Sequence, residues 1–156
     1  MPGQKVTELN DEQMHLLRSC IVKFMEIAEE EVPEPPEDAD TSEIADMLLE
    51  NWRGKQEPEF DAEAMALILG CMCCELLRSY LRVDWKCVVD EYGEAMALYG
   101  ELNGETLLMF PVDSAQKRID EPGQTLTDWV FGMLEQENVK KFLRPEGEDP
   151  KSIFED

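Results

Sequence analysis

The sequence predicts an α+β fold, and three observations carry that expectation. Apolar residues recur at helical spacing through most of the first 80 positions, three short runs of β-type residues follow between Trp85 and Phe110, and a helical stripe returns after Thr125. The expected arrangement is a helical N-terminal half around a buried central helix, then a small three-stranded antiparallel meander, then a closing helix.

The first helix is expected from Asn10 to about Glu31. Met14, Leu17, Ile21, Phe24 and Ala28 line one face, and Asn10 or Asp11 can cap its start. From Glu26 to Asp40 the chain holds eight acidic residues, no Lys or Arg, and prolines at 33, 35 and 36. Residues 32–40 therefore read as a solvated acidic linker within a single domain spanning 1–156. Asp40 followed by Glu43 has the form of a capping box, and Ile44, Met47, Leu48 and Trp52 give a short amphipathic helix that stops at Gly54. A third start at Asp61 leads into EAMALILGCMCCELLRSYLRV, apolar on nearly every side up to Glu75 and hence the expected central helix.

After that helix the period changes. WKCVV, AMALY and TLLMF are strand-like, while DEYGE and GELNGE between them are turn-like. Pro111 has no N–H for a ladder and ends the meander, and VDSAQKRI can form a short helix before Glu121, Pro122 and Gly123 break the chain. Thr125 or Thr127 can cap a last helix carrying Leu126, Trp129, Val130 and Met133, with Phe142 and Leu143 extending its contact. Residues 144–156 read as a frayed polar tail.

The run from Leu67 to about Glu121 resembles a small, mostly bacterial family of unknown function, domain-of-unknown-function family 3806. The resemblance rests on the Gly-interrupted apolar helix LILGCMCCELL, on Trp85 opening WKCVVDEYGEAMALY, on a strand ending at Pro111, and on the step Gln116-Lys117-Arg118-Ile119. It implies an α+β arrangement and brings no reaction, substrate or cofactor with it.

Charge narrows the function classes further. Thirty-six acidic against 14 basic residues give a formal charge of -22, at a mean hydropathy of -0.40. A field of that sign repels phosphate backbones and anionic lipid, so neither nucleic acid nor a membrane is an expected partner, whereas a basic protein is. The N-terminal residues MPGQKVTELNDEQ lack the apolar run of a secretory signal, and a cytoplasmic location is expected. Five cysteines, three of them at 71, 73 and 74 on one helix, read as reduced thiols.

Candidate chemistry is sparse. His15 is the single histidine, with no nucleophile elbow, phosphate loop or dinucleotide fingerprint beside it, so no catalytic residue is assigned and no cofactor is expected. Cys71 and Cys74, at i and i+3, face one way and supply two of the four ligands a structural zinc needs; a thiol or metal module is the alternative they leave open. Met65, Met72, Met96, Met109 and Met133 read as core filler in preference to an adaptable binding face. The most site-like groups are Asp90, Glu91 and Tyr92 in the hairpin turn and Asp113, Lys117 and Arg118 after Pro111, because turns beside a small sheet are where partners dock. Their competing role is internal, an ion pair of Lys117 or Arg118 with Asp90, Asp113 or Asp120. The expected function is a non-catalytic acidic module that binds a basic protein, as inhibitors and immunity-like proteins do; solubility alone is the rival explanation of the acidity. Edge strands of the meander also leave a homodimer open.

Overall fold

Capping fixes where the helices begin. The computed structural model describes residues 4–121 and 123–155, so Pro122 of the expected chain break and Asp156 of the expected tail lie outside the described residues, as do Met1 to Gly3. Helix α1 (Asp11–Glu31) opens on a capping box in which Asn10 accepts from the Gln13 backbone and Gln13 returns the bond. Helix α2 (Thr41–Arg53) opens on a second box, between Asp40 and Glu43, and α3 (Ala62–Tyr80) on Asp61. These are the three starts that the capping residues mark in the sequence.

Helix α3 is the centre of the core. Met65, Ala66, Ile68, Leu69, Cys71 and Cys74 are all buried, on faces that point in every direction around its axis. Helices α1, α2, α4 (Pro111–Asp120) and α5 (Leu126–Glu135) pack around it, with the short α6 (Glu137–Lys140) beyond. Gly70 is what lets α4 come in so close. A Cβ there would lie 2.8 Å from the Pro111 carbonyl carbon, so only a hydrogen at this position lets the two backbones meet.

Helix α2 ties down two others through its polar face. Asp46 accepts from the backbone N–H groups of Leu126 and Thr127 and from the Thr127 hydroxyl, at 2.7–3.1 Å, and so holds the start of α5. Arg53 donates to the carbonyls of Arg118 and Ile119 near the end of α4.

The sheet has four antiparallel strands in the order β1-β2-β3-β4, namely Lys5–Thr7, Asp84–Asp90, Gly93–Leu102 and Glu105–Met109. The expected meander is the β2-β3-β4 part. Strand β1 is the addition, pairing Val6 with Val88. Three residues are too few for an alternation to show, and only the exposed β2 edge makes them a strand. The turns are also tighter than expected. DEYGE contributes Asp90 to β2 and Gly93 and Glu94 to β3, leaving Glu91 and Tyr92 as a two-residue loop. Asn103 and Gly104, at φ 51° and 82°, make the second loop, the left-handed pair such hairpins need.

Within residues 144–156, expected as a frayed polar tail, most described side chains are exposed, and two points are held against the fold. Arg82 N–H donates to the Phe142 carbonyl, Arg144 N–H donates to the Tyr80 carbonyl, and Ile153 is buried with its carbonyl accepting from Arg18 Nε at 2.6 Å. One apolar side chain and a few backbone partners suffice to dock a segment whose composition is polar.

Candidate functional site

Between the sheet and the start of α4 lies a mainly apolar cleft of about 360 Å³. Its origin is a mismatch of strand lengths. Strand β3 runs from Gly93, but β4 meets it only from Leu98, where Met109 is the partner; beyond Met109 the chain leaves the sheet and Pro111 begins α4. Proline enters the first helical turn readily and cannot continue a ladder, so the sequence forces the departure at this point. The stretch Gly93–Ala97 therefore pairs with β2 on one side only.

Helices α1 and α3 close the floor of the cleft with Leu16 and Leu67, and Met96, Phe110 and Val112 line its walls. Leu16 is 42% exposed, a large apolar side chain that the fold leaves uncovered. The two charged residues among the lining groups are both acids, Glu94 on β3 and Asp113 in the first turn of α4. Cys87 holds Glu94 in place. Its thiol lies 3.6 Å from Glu94 Oε2 as donor and accepts from Gln13 Nε2 at 3.3 Å.

The residues singled out in the sequence divide around this cleft. Asp113 lines it. Asp90, Glu91 and Tyr92 sit on the hairpin from which β3 enters it, all exposed, with the Tyr92 side chain 90% open to solvent. Lys117 is exposed one turn further along α4 on the side of Asp113. Arg118 turns away: its guanidinium lies 5.7 Å from the Trp129 ring and donates to the Ser114 carbonyl, while its Nε is buried without a partner among the described residues. Among those residues neither Lys117 nor Arg118 pairs with Asp90, Asp113 or Asp120, and Asp120 instead accepts from Gln116. Leu16, Glu94, Met96 and Phe110 complete the site without having been read as part of it. Met96 carried a usable signal, since it stands among the methionines whose alternative role is an adaptable binding face.

The thiols form a second cluster, inside the core. Cys71 of α3 hydrogen-bonds to Cys20 of α1; this contact lowers the Cys20 pKa and raises that of Cys71, which burial raises further. Cys73 and Cys74 are pushed up chiefly by burial. All five cysteines are buried and unbridged. Among the described residues no three His, Cys, Asp or Glu side chains gather in a metal-binding group. His15 is exposed on α1, in a shallow depression with Arg18, Ser19 and Val22.

Comparison with known proteins places the fold. The model of a family described as a domain of unknown function (DUF3806) matches residues 40–130, more than half of the chain. The chain belongs to this family. The matched region runs from the α2 capping box through α3, strands β2 to β4 and α4 into α5, and contains the β3 wall of the cleft together with Phe110, Pro111 and Asp113. A crystal structure from Bacteroides thetaiotaomicron is similar at a TM-score of 0.61 and 16% identity over 85% of this chain. That degree of likeness concerns the fold alone, and the chain spans about half, 47%, of the length of that structure. No curated protein matches. Among the described residues no helix is long and apolar enough to cross a membrane.

Proposed function

We propose that this member of the DUF3806 family is a non-catalytic binding module that engages a positively charged protein. The observation that carries the reading is the composition of the cleft, an apolar floor whose charged lining residues are Glu94 and Asp113 and nothing basic. Apolar surface supplies affinity, at about 25 cal/mol per Å² removed from water, and acidic groups around it choose the sign of the partner. The wider field points the same way. A formal charge of -22 speeds encounter with a cation and suppresses acidic competitors. The exposed Asp90, Glu91 and Tyr92 extend the acidic rim along the hairpin, and Lys117 marks one margin of it.

The test is to capture proteins from the native lysate on the immobilised chain, purify what is retained, and titrate the pair at low and high salt. A basic protein should bind one-to-one, more weakly as salt rises, and more weakly still to the double variant Glu94→Gln, Asp113→Asn. Retention of nothing basic, or affinity indifferent to both salt and the double variant, would sink the reading.

A second reading, a thiol module, has one observation in its favour, the contact between Cys20 and Cys71 across α1 and α3. It calls for at least one thiol in the folded chain that reacts with a disulfide reagent without denaturant. Complete protection of all five would remove it.

A further inference from the structure

The half of β3 that β4 leaves unpaired is an open backbone edge, and the cleft lies directly alongside it. We infer that this edge, Gly93–Ala97, receives a short extended segment of the partner as an added strand, with an apolar side chain of that segment seated in the cleft and a Lys or Arg against Glu94. The inference rests on the reading of the chain as a module for a basic protein and adds how the partner is held.

Register decides which backbone groups are offered. Asp90 and Gly93 close the two-residue β2-β3 loop as a mutually hydrogen-bonded pair, so β3 residues at odd positions direct their N–H and C=O toward β2. Those of Glu94 and Met96 point the other way, to the side where β4 has ended. Among the described residues no backbone group outside the sheet bonds to either. Glu94 and Ala95 are exposed and Met96 half-buried, so the edge is open to a visitor. An unpaired edge is normally blunted by a proline, a charge or a covering loop. Here the charge is the Glu94 carboxylate, which turns away acidic strands and admits a cationic one.

The same register gives the spacing. Glu94 and Met96 are two apart and share the helix-facing side of the sheet with Leu98, so residues opposite them on an added antiparallel strand are also two apart and face the same way. The one opposite Met96 lies over Leu16 and Leu67 and must be apolar; the one opposite Glu94 meets a carboxylate and must be cationic. The segment thus reads apolar-x-Lys or apolar-x-Arg in an extended conformation, the mode in which main-chain bonds give affinity and alternate side chains give specificity.

The experiment selects random octapeptides displayed on phage against the intact chain, then titrates the synthetic winner and follows amide hydrogen exchange. Enriched peptides should share the apolar-x-basic spacing, and the bound peptide should slow exchange at Glu94 and Met96 by about tenfold or more while leaving Ala95 and Ala97, already bonded to β2, little changed. Met96→Pro removes one edge N–H without touching a bond to β2, and should cost at least about tenfold in affinity. If that variant fails to fold by circular dichroism, the exchange pattern of the unaltered chain decides alone. Peptides that bind with no protection at Glu94 and Met96 overturn edge docking, while the capture experiment above still decides whether a basic protein is the partner. A purified chain that is already a dimer with both amides protected also overturns it, because the occupant is then a second copy.

Discussion

Arg78 is 4% exposed and carries a full charge, which is costly unless another group answers it. Glu75, one turn earlier on α3, accepts from both Nε and Nη2 of Arg78, and its Oε2 also accepts from Trp85 Nε1 at 2.7 Å. Asp84 adds a longer contact to Arg78 Nη1 at 3.6 Å, so Glu75 is the main but shared counter-charge of the buried cation, and it ties the central helix to the first long strand. Glu75→Ala should lose about 2–4 kcal/mol in urea denaturation, since the indole N–H loses its acceptor and the arginine keeps only the longer contact to Asp84; a loss below about 1 kcal/mol would show that Asp84 and solvent together replace Glu75. Nothing in the sequence marks this group, because apolar periodicity stops at Glu75 and a Glu-x-x-Arg pair on a helix is ordinarily a solvated one. The thiols make a second prediction at this scale. Burial raises the pKa of Cys73 and Cys74 above the ordinary 9.0, so the folded chain keeps protons that the unfolded chain releases. Both states are neutral below about pH 9, and the contribution is fully present there; it is lost as pH rises past that value. Urea midpoints should fall between about pH 8 and pH 10.5, and the fall should be smaller in Cys74→Ala measured against its own value at pH 8. An identical fall in that variant would assign the effect to other groups.

At the level of elements, the helix starts were legible because each is written in a few adjacent residues: Asn10 with Gln13, Asp40 with Glu43, Asp61 before Ala64, Thr125 before Asp128. The strand cores WKCVV, AMALY and TLLMF were legible for the same local reason. Their ends were not. Glu94 and Glu101 look like turn residues, yet once β2 and β4 are beside them the ladder extends through any residue whose side chain can reach water. Helix packing shows the same division. The glycine in LILGC interrupts an apolar run without saying why, and the reason is the Pro111 backbone, which lies against it only in the folded chain. Gly70→Ala offers about 1 kcal/mol of helix propensity but drives a methyl group into another helix's backbone, at a cost of about 1–3 kcal/mol. We expect a net loss of up to about 2 kcal/mol by thermal or urea unfolding. A gain in stability would mean that α4 can slide away from α3 freely.

For the whole molecule the dominant number is the charge of -22, spread over a chain with ion pairs at only a minority of its carboxylates among the described residues. Most of the pairs are exposed and contribute little, and the remaining acids repel one another. Raising sodium chloride from low to physiological strength shortens the Debye length to about 8 Å and should raise the melting temperature by several degrees. A flat or falling curve would imply that the acids are already compensated. The same screening should weaken a basic partner, so stability and binding are expected to move in opposite directions with salt.

By itself the sequence determined the α+β class, the cap residues and strand cores, the buried central helix and the sign of the surface field, because each is set by local chemistry or by simple summation. Tertiary structure alone decided that β1 exists, that the C-terminal segment docks, that Arg118 turns to Trp129 and not to an acid, and that Glu94, Met96, Leu16 and Asp113 share one cleft. Those four residues come from β3, α1 and α4, and no local rule counts a distance across that much chain. What brings them together is that β4 stops at Met109, five residues short of its partner strand's start, and Pro111 turns the chain into α4, a fact of pairing register that exists only once the sheet has formed.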